Sequence, residues 1–215
     1  MTYPVKNKLD YSLYLVTDRT LCRGEFIECI EAAIRGGVSV VQLREKDASS
    51  AEFYSIALEL RKLTRSYGVP FIINDRADIA LAVDADGLHI GQSDMPLDVA
   101  RSILGSEKII GVSASCVDDA LLALEEGADY LGVGAVFPTG TKSDADSVGI
   151  DELRRIKDSV DIPVVAIGGI NEINAHIPMS AGIDGISVVS AIVASPSPLD
   201  SSKRLLDIVK KSKNI

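Results

Sequence analysis

An amide and two cations alternate along one short segment of the chain. Gln42, Arg44 and Lys46 are separated by Leu43 and Glu45, so in an extended strand the first three side chains point to the same side. A guanidinium that binds two oxygens at once and an ammonium on a flexible stem can together hold a polyphosphate. Salt bridges inside the fold would use the same residues, and the spacing alone does not choose between the two interpretations.

Two aspartates stand directly after predicted strands, each on a polar turn. Asp75 follows Asn74, and Asp94 closes the turn that begins at Gly91. Proteins bind Mg²⁺ with one or two carboxylates together with phosphate oxygens and water, so this pair could hold Mg²⁺ beside a polyphosphate. Each aspartate also precedes a helical pattern, where a carboxylate can cap the first turn. The spacing alone favours capping for each of them.

Hydroxyl groups mark two further strand ends. Thr139, Gly140, Thr141 and Lys142 open a loop after the longest apolar run. Hydroxyls and a lysine indicate a segment that covers an anionic ligand, although an ordinary solvated loop has the same composition. Ser113 is a single hydroxyl at another strand end, where it could contact a ligand or stabilise a turn.

Gly168-Gly169 and Val189-Ser190 follow the last two predicted strands. In α/β barrels the backbone N–H groups at these two places commonly bind a monophosphate. Two adjacent glycines also suit a turn with positive φ, so close packing is the alternative explanation. Taken together, the residues indicate two phosphorylated ligands and a transfer between them.

The elements that would position these residues are eight short apolar runs alternating with amphipathic stretches. Runs of this composition are typical of parallel strands that are buried on both faces. Their alternation with helices predicts an α/β fold, a closed (β/α)₈ TIM barrel in a single domain spanning residues 1–215, with an open doubly wound sheet as the alternative. The predicted strands are Leu13–Thr17, Val38–Leu43, Phe71–Asn74, Gly87–Ile90, Ile109–Ser113, Tyr130–Phe137, Val164–Gly168 and Gly185–Ser190.

Repetition supports the barrel prediction. The phrases GGVSVVQLR, DADGLHIG, EGADYLGVG and AGIDGISVV look like one way of entering a strand that is used repeatedly, which hints at a repeated βα unit. Pro178 falls inside the helical pattern after the seventh strand and should kink or shorten that helix. In such barrels the chemistry lies at the C-terminal ends of the strands, where the residues above stand.

Composition excludes several classes of protein. The net charge of −9 argues against nucleic acid or an anionic membrane as a partner, and small phosphorylated molecules are the expected ligands. Three cysteines without CxxC spacing predict no disulfide framework. His89 and His176 lack metal-ligand spacing and are interpreted as structural. Without an apolar leader or a run of membrane-spanning length, a cytoplasmic location is expected.

The sequence resembles the thiamine-phosphate synthase family from Leu13 to about Ile192. No single stretch is decisive, because some recur in other phosphate-binding barrels, but the ordered set is specific. The matching stretches are LYLVTD (13–18), QLREK (42–46), INDRADIALAVDADGLHIGQSDMP (73–96), IGVSAS (110–115), GADYLGVGAVFPTGTK (127–142), AIGGI (166–170) and GIDGISVVSAI (182–192).

The resemblance implies a transferase that joins hydroxymethylpyrimidine diphosphate to a thiazole phosphate, or to its carboxylated form, and releases pyrophosphate by a dissociative mechanism. It implies that Asp75 and Asp94 hold Mg²⁺. The pyrimidine diphosphate would be bound by Gln42, Arg44, Lys46, Asn74, Ser113 and Lys142, of which Arg44, Lys46, Ser113 and Lys142 would also act in catalysis. The thiazole phosphate would be bound by Thr139, Gly140, Thr141, Gly169, Val189 and Ser190.

Three other functions share parts of this pattern. A thiazole tautomerase-like relative would have the fold and the thiazole phosphate site without the diphosphate and metal residues, which are intact here. A phosphate-sugar isomerase barrel would need paired acid and base residues at its strand ends. A non-catalytic module that binds thiazole phosphate or thiamine phosphate would differ only in lacking turnover. The family also suggests a homodimer.

Overall fold

Eight parallel strands close into one barrel, with each strand hydrogen-bonded to its two neighbours in chain order and β8 paired with β1. The computed structural model of the protein describes residues 9–139 and 148–213. The predicted TIM barrel is therefore confirmed, and the open sheet is excluded. The strands are β1 (Leu13–Val16), β2 (Val40–Leu43), β3 (Phe71–Asn74), β4 (Gly87–Ile90), β5 (Ile109–Ala114), β6 (Tyr130–Val133), β7 (Val164–Ile167) and β8 (Gly185–Val188).

Helices cover the outside of the barrel and follow the strands along the chain. They are α1 (Phe26–Arg35), α2 (Ser50–Tyr67), α3 (Ala77–Ala82), α4 (Leu97–Leu104), α5 (Val117–Glu125), α6 (Ile150–Ser159), α7 (His176–Met179), α8 (Ser190–Val193) and α9 (Pro198–Lys213), with a 3₁₀ turn at Arg19–Leu21. The shortening expected from Pro178 is confirmed, because α7 has only four residues. Within residues 9–139 and 148–213, no helix combines the length and apolar character needed to cross a membrane.

Side chains along each strand point alternately to the two faces of the sheet, so the barrel has two separate hydrophobic cores. On β1, Leu13 and Leu15 pack outward against the helices, whereas Tyr14 and Val16 belong to a second cluster inside the barrel. The inner cluster contains unusually large side chains, which need space across the barrel. Gly111 provides that space, because a Cβ atom there would collide with the ring of Tyr130.

One hydrogen-bonding arrangement recurs at the floor of the barrel, which lies at the N-terminal ends of the strands. Asp86, immediately before β4, accepts the N–H of Phe71 at 2.8 Å and the guanidinium of Arg61 at 2.7 Å. The aspartate thus ties the start of β3 and helix α2 to the start of the next strand. Arg61 is buried, so removing Asp86 would leave its charge facing the more distant carboxylate of Asp84, at 3.9 Å.

The same arrangement recurs around the floor, which gives the repeated phrases a physical basis. Asp129 accepts the N–H of Ile110 and pairs with Arg101, at 2.8 and 2.6 Å. Asp184 accepts the N–H of Val164 and pairs with Lys157, both at 2.8 Å. Before β2, the hydroxyl of Ser39 accepts the N–H of Leu13 at 3.1 Å in the equivalent position.

The sixth predicted strand has the largest error in length. The apolar run 130–137 was expected to be a single strand, but β6 ends at Val133. Its neighbour β5 ends opposite, at Ala114, so the following residues have lost their ladder partner on that side. They pair instead beyond β7: the N–H groups of Val136 and Phe137 donate to Ile167 and Gly168, at 2.9 and 3.1 Å.

Candidate functional site

A cavity of about 160 Å³ opens at the C-terminal rim of the barrel. Its walls come from the ends of the strands and from the loops that follow them, as expected for an active site in this fold. Among its lining residues are eight of the predicted site residues, Gln42, Arg44, Asn74, Ser113, Thr139, Gly169, Val189 and Ser190. The structure therefore brings residues predicted for both substrates into one space.

The other predicted residues do not line this cavity in the described part of the chain. Gly140, Thr141 and Lys142 lie outside the described residues. Asp75 directly follows the end of β3, and Asp94 lies in the turn after β4. Lys46 is exposed, because β2 already ends at Leu43 and strand alternation no longer controls where a side chain three residues later points.

Glu45, between the two cations, faces away from the cavity and joins neighbouring rim loops. Its carboxylate lies 3.2 Å from Arg19, which also binds Glu52 of α2 at 2.6 Å. Burial raises the pKa of Glu45, and the neighbouring guanidinium of Arg19 offsets only part of this effect. The Arg19 bridge fixes the segment that carries Arg44.

Backbone hydrogen bonds hold the turns that carry Asp75 and Asp94. The N–H of Asp75, whose φ is 62°, donates to the carbonyl of His89 at 2.9 Å. One carboxylate oxygen of Asp94 accepts the N–H of Gly91 at 2.7 Å. The helices that follow have Arg76 and Pro96 at their N-caps, so neither aspartate occupies the N-cap position itself.

The chemistry of these two carboxylates suits a hard divalent cation. In the described part of the chain, no group of three or more His, Cys, Asp or Glu side chains is arranged to hold a metal ion. Two carboxylates alone leave most coordination positions to other oxygens, which is how Mg²⁺ is bound when water and substrate phosphates complete its shell. The donor set thus fits a cation that arrives with a diphosphate.

The loop after β7 shows the positive φ and the close packing that were one explanation offered for its glycines. Gly168 and Gly169 have φ values of 104° and 64°. A Cβ atom on Gly169 would lie 2.7 Å from the carbonyl oxygen of Pro138 and 2.8 Å from Cβ of Phe137. The turn therefore needs glycine for its conformation and for close packing, at a place where backbone also faces the cavity.

Asn174 fixes this turn, and sequence reasoning did not identify it. Its Nδ2 donates to the carbonyl of Gly169 at 3.0 Å, while its Oδ1 accepts the N–H of Asn171 at 2.8 Å. Glu172, in the same loop, binds Arg204 of α9 through two hydrogen bonds of 2.6 and 3.0 Å. The loop is thus anchored at two points.

A hydrogen-bonded network inside the barrel was also missed. Gln42 Nε2 donates to the hydroxyl of Tyr14 at 2.7 Å, and that hydroxyl lies 2.7 Å from the hydroxyl of Tyr130. Tyr130 lies 2.9 Å from Nδ1 of His89, whose Nε2 lies 3.1 Å from Oγ of Ser113. His89, interpreted from the sequence as structural, is in the cavity wall. The signal was available, because period-two alternation places Tyr14 inside the barrel.

Ser187 on β8 is another cavity residue that the sequence did not single out. Its hydroxyl oxygen is buried and has no hydrogen-bond partner among the described residues. A buried hydroxyl without a partner costs free energy, so a ligand that reaches it would gain by forming the missing bond. Its neighbours along the chain, Val189 and Ser190, line the same part of the cavity.

Comparisons with known proteins agree on one family. The family model described as thiamine monophosphate synthase matches residues 13–192. The thiamine-phosphate synthase of Clostridium acetobutylicum is 56% identical over 205 residues, covering 95% of this chain and 97% of that protein. That of Methanobrevibacter smithii is 57% identical over 200 residues, covering 93% and 96%. The solved structure of thiamine phosphate pyrophosphorylase from Pyrococcus furiosus superposes with a TM-score of 0.89 at 44% identity, covering 95% and 98% of the two chains.

Proposed function

This chain belongs to the thiamine monophosphate synthase family, and we propose that its rim cavity binds both substrates of the family reaction side by side. The chain is a transferase of thiamine biosynthesis that condenses a pyrimidine diphosphate with a thiazole phosphate to give thiamine monophosphate and pyrophosphate. One observation supports the assignment of the site above all: residues predicted for the diphosphate and residues predicted for the monophosphate line the same cavity.

The diphosphate side of the site carries the positive charge. Arg44 lines the cavity with Gln42 and Asn74 beside it, and Lys46 follows on the same loop. As the bond between the pyrimidine methylene carbon and the diphosphate oxygen breaks, its electron pair leaves with the pyrophosphate. Cations placed at that oxygen stabilise the charge that develops on it. We assign the same role to Lys142 from the family resemblance.

Asp75 and Asp94 would hold Mg²⁺ at the edge of this region. When bound, the ion supplies further positive charge against the diphosphate oxygens. The two aspartates need only provide oxygen ligands and orientation, and the backbone bonds to His89 and Gly91 keep their turns in place. Asp75 follows β3, the neighbour of the strand that leads to Arg44, and Asp94 follows β4, the next strand around the barrel. The two aspartates would therefore hold the ion on the side of the barrel where Arg44 meets the leaving group.

The thiazole phosphate would bind on the other side, after β7 and β8. Backbone at Gly169, together with Val189 and Ser190, supplies N–H donors that suit a monophosphate. Thr139 adds a hydroxyl, and the resemblance adds Gly140 and Thr141. The thiazole nitrogen then attacks the methylene carbon from which pyrophosphate has departed. The new C–N bond replaces the broken C–O bond, and the step requires no protein nucleophile.

The decisive experiment is an assay for thiamine monophosphate and pyrophosphate with both substrates and Mg²⁺, repeated with each component omitted. We expect product only when both substrates and Mg²⁺ are present. Arg44→Ala should lower kcat more than it raises KM, because its guanidinium acts on charge that grows during the reaction. Arg35→Ala, on the outside of α1, is the matched control. Tight binding of both substrates without turnover would identify a non-catalytic module instead.

Two properties of the whole protein complete the proposal. The family suggests that the enzyme is a homodimer, and we propose in addition that it works in the cytoplasm. Light scattering on the purified chain would give its mass in solution, and a monomer at micromolar concentration would contradict the dimer. Assays with the thiazole phosphate and with its carboxylated form, in parallel, would identify the preferred acceptor.

A further inference from the structure

The network inside the barrel is a continuous chain of four hydrogen bonds. It runs from Gln42 through Tyr14, Tyr130 and His89 to Ser113, with successive distances of 2.7, 2.7, 2.9 and 3.1 Å. The five residues come from five different strands, so their relative positions are set by the barrel itself. Both ends of the chain, Gln42 and Ser113, line the cavity.

The first bond and the burial of Tyr14 together set one direction for the others. An amide nitrogen can only donate, so the hydroxyl of Tyr14 accepts from Gln42. Tyr14 is buried and its other hydrogen-bond partner in the described part of the chain is the hydroxyl of Tyr130, so we assign its single proton to that bond. Tyr130 then gives its own proton to Nδ1 of His89. Burial raises the pKa of both tyrosines, so each hydroxyl keeps a proton to donate.

The last hydrogen bond of the network ends at Ser113, in the cavity wall. A neutral imidazole whose Nδ1 accepts a hydrogen bond carries its proton on Nε2, which therefore donates to Oγ of Ser113. Since Ser113 accepts from the imidazole, its own proton is available to another acceptor. At the opposite end, the amide of Gln42 points its nitrogen at Tyr14 and retains Oε1 as an acceptor.

We propose that Tyr14, Tyr130 and His89 are positioning residues that make Ser113 a donor and Gln42 an acceptor toward the substrate ring. This proposal rests on the proposed function, because it concerns the pyrimidine that the enzyme binds. An aminopyrimidine has the complementary edge, an exocyclic amine that donates and ring nitrogens that accept. A ring with an oxo group and a protonated ring nitrogen in those places would meet donor with donor and acceptor with acceptor. The chain thus selects the amino form of the ring.

The alternative is that the five residues only satisfy one another in the interior. That role would require hydrogen bonds but no particular direction, and it would leave discrimination between ring types unaffected by a break in the chain. Two measurements separate the alternatives, one on the ligand-free protein and one on ligand binding.

The first measurement is the ¹⁵N chemical shift of the His89 ring, because protonated and unprotonated ring nitrogens resonate far apart. The protein has two histidines, and His176→Gln, an exposed position, leaves His89 as the single signal. We expect the proton on Nε2 and an unprotonated Nδ1. A proton on Nδ1 would reverse the direction of the chain and overturn the proposal. This result does not depend on whether the protein turns over.

The second measurement is calorimetric titration of Tyr130→Phe and Tyr14→Phe with the pyrimidine diphosphate and with its oxo analogue. Loss of one neutral hydrogen bond corresponds to about a three- to tenfold loss of affinity. We expect that loss for the amino substrate, a smaller preference over the oxo analogue, and an unchanged affinity for the thiazole phosphate. The two variants interrupt the hydrogen-bonded network at different residues, so the test still works if one of them folds poorly.

Tyr11→Phe is the matched control. Tyr11 is buried, and its ring centroid lies 5.0 Å from that of Tyr130, but it is not a member of the chain. It should bind all ligands like the wild type. If Tyr130→Phe also kept the wild-type preference for the amino ring, the network would be structural only. If the wild-type enzyme formed no thiamine monophosphate while the variants still lost affinity, the proposed function would fail and the positioning role would stand.

Discussion

A carboxylate oxygen of Asp94 accepts the backbone N–H of Gly91 at 2.7 Å, so this side chain already has one structural contact before any metal binds. Its other oxygen is left to act as a metal ligand. Removing the whole side chain would therefore disturb the turn and the proposed metal site together. A substitution that keeps an oxygen but removes the charge separates the two effects.

We predict that Asp94→Asn lowers turnover by about 100-fold or more, because even the partners of metal ligands contribute 10- to 100-fold. The amide oxygen can still accept from Gly91, so the melting temperature should stay close to that of the wild type. Excess Mg²⁺ should recover part of the activity. Full activity of the wild type in EDTA would contradict the role of the metal.

Gly169→Ala should lower the affinity for the thiazole phosphate and keep the affinity for the pyrimidine diphosphate within a few-fold of the wild-type value. The added Cβ atom would crowd the backbone of Pro138, and alanine at a φ of 64° also carries conformational strain. Gly68→Ala is a close control, because Gly68 has a φ of 67° and open space around its Cβ position. Both variants carry the strain of a positive φ, so the difference between their ligand affinities reports the effect of crowding at Gly169. Calorimetry with each ligand measures it, and equal loss of both affinities in Gly169→Ala would show that the two substrates do not bind separately.

Ser187→Ala should have opposite effects on the stability of the ligand-free protein and on the binding of the thiazole phosphate. The hydroxyl is buried without a partner among the described residues, so removing it should leave the melting temperature of the ligand-free protein unchanged or raise it. If the thiazole phosphate supplies the missing partner, the rise in melting temperature on adding that ligand should be smaller in the variant. An identical rise in both proteins would show that Ser187 does not contact this ligand.

The anchor between Glu172 and Arg204 should make the loop after β7 sensitive to acid. Hydrogen bonds from Arg204 lower the pKa of the Glu172 carboxyl in the folded protein. A lowered pKa stabilises the fold at pH values above the unfolded value, about 4.3, and that stabilisation is lost as the pH falls through the folded value. Glu172→Gln should therefore lower the melting temperature at neutral pH by about 1 to 3 °C, as for an exposed pair.

As the pH falls through the folded pKa of Glu172, the melting temperatures of Glu172→Gln and the wild type should converge, because the wild-type carboxyl is then losing its charge. Asp151→Asn is the control, since that carboxylate is fully exposed and lies 3.5 Å from Arg154. It should behave like the wild type at neutral and at acidic pH. A difference for Glu172→Gln that persisted unchanged in acid would rule out the ion pair as its cause.

Sequence reasoning recovers the barrel because its signals are local and repeated. Apolar runs such as Phe71–Asn74 and helix stops such as Gly68, which is left-handed at the end of α2, can be read residue by residue. The end of β6 could not be predicted in this way, because Val136 and Phe137 remain apolar while their hydrogen bonds move to the loop after β7. That change depends on where the neighbouring strand ends.

The site was predictable where residues stand at strand ends, and much less so inside the barrel. Arg44 and Ser113 were found because chemistry is expected at those positions. Tyr130 and Ser187 were not, because a buried tyrosine or serine in an apolar strand resembles ordinary core until its partners across the barrel are known. Asn174 was missed for a related reason, since its importance lies in the carbonyl of Gly169 that it holds.

The aspartates of the barrel floor imply how variation in this chain can be interpreted. Asp86, Asp129 and Asp184 join strand to strand at the end of the barrel opposite the substrates. An inherited change among them should act on the amount of folded enzyme and leave the chemistry of each surviving molecule intact. A change at Arg44 should do the reverse. Protein abundance and specific activity, measured separately, would thus locate an unknown variant at one end of the barrel or the other.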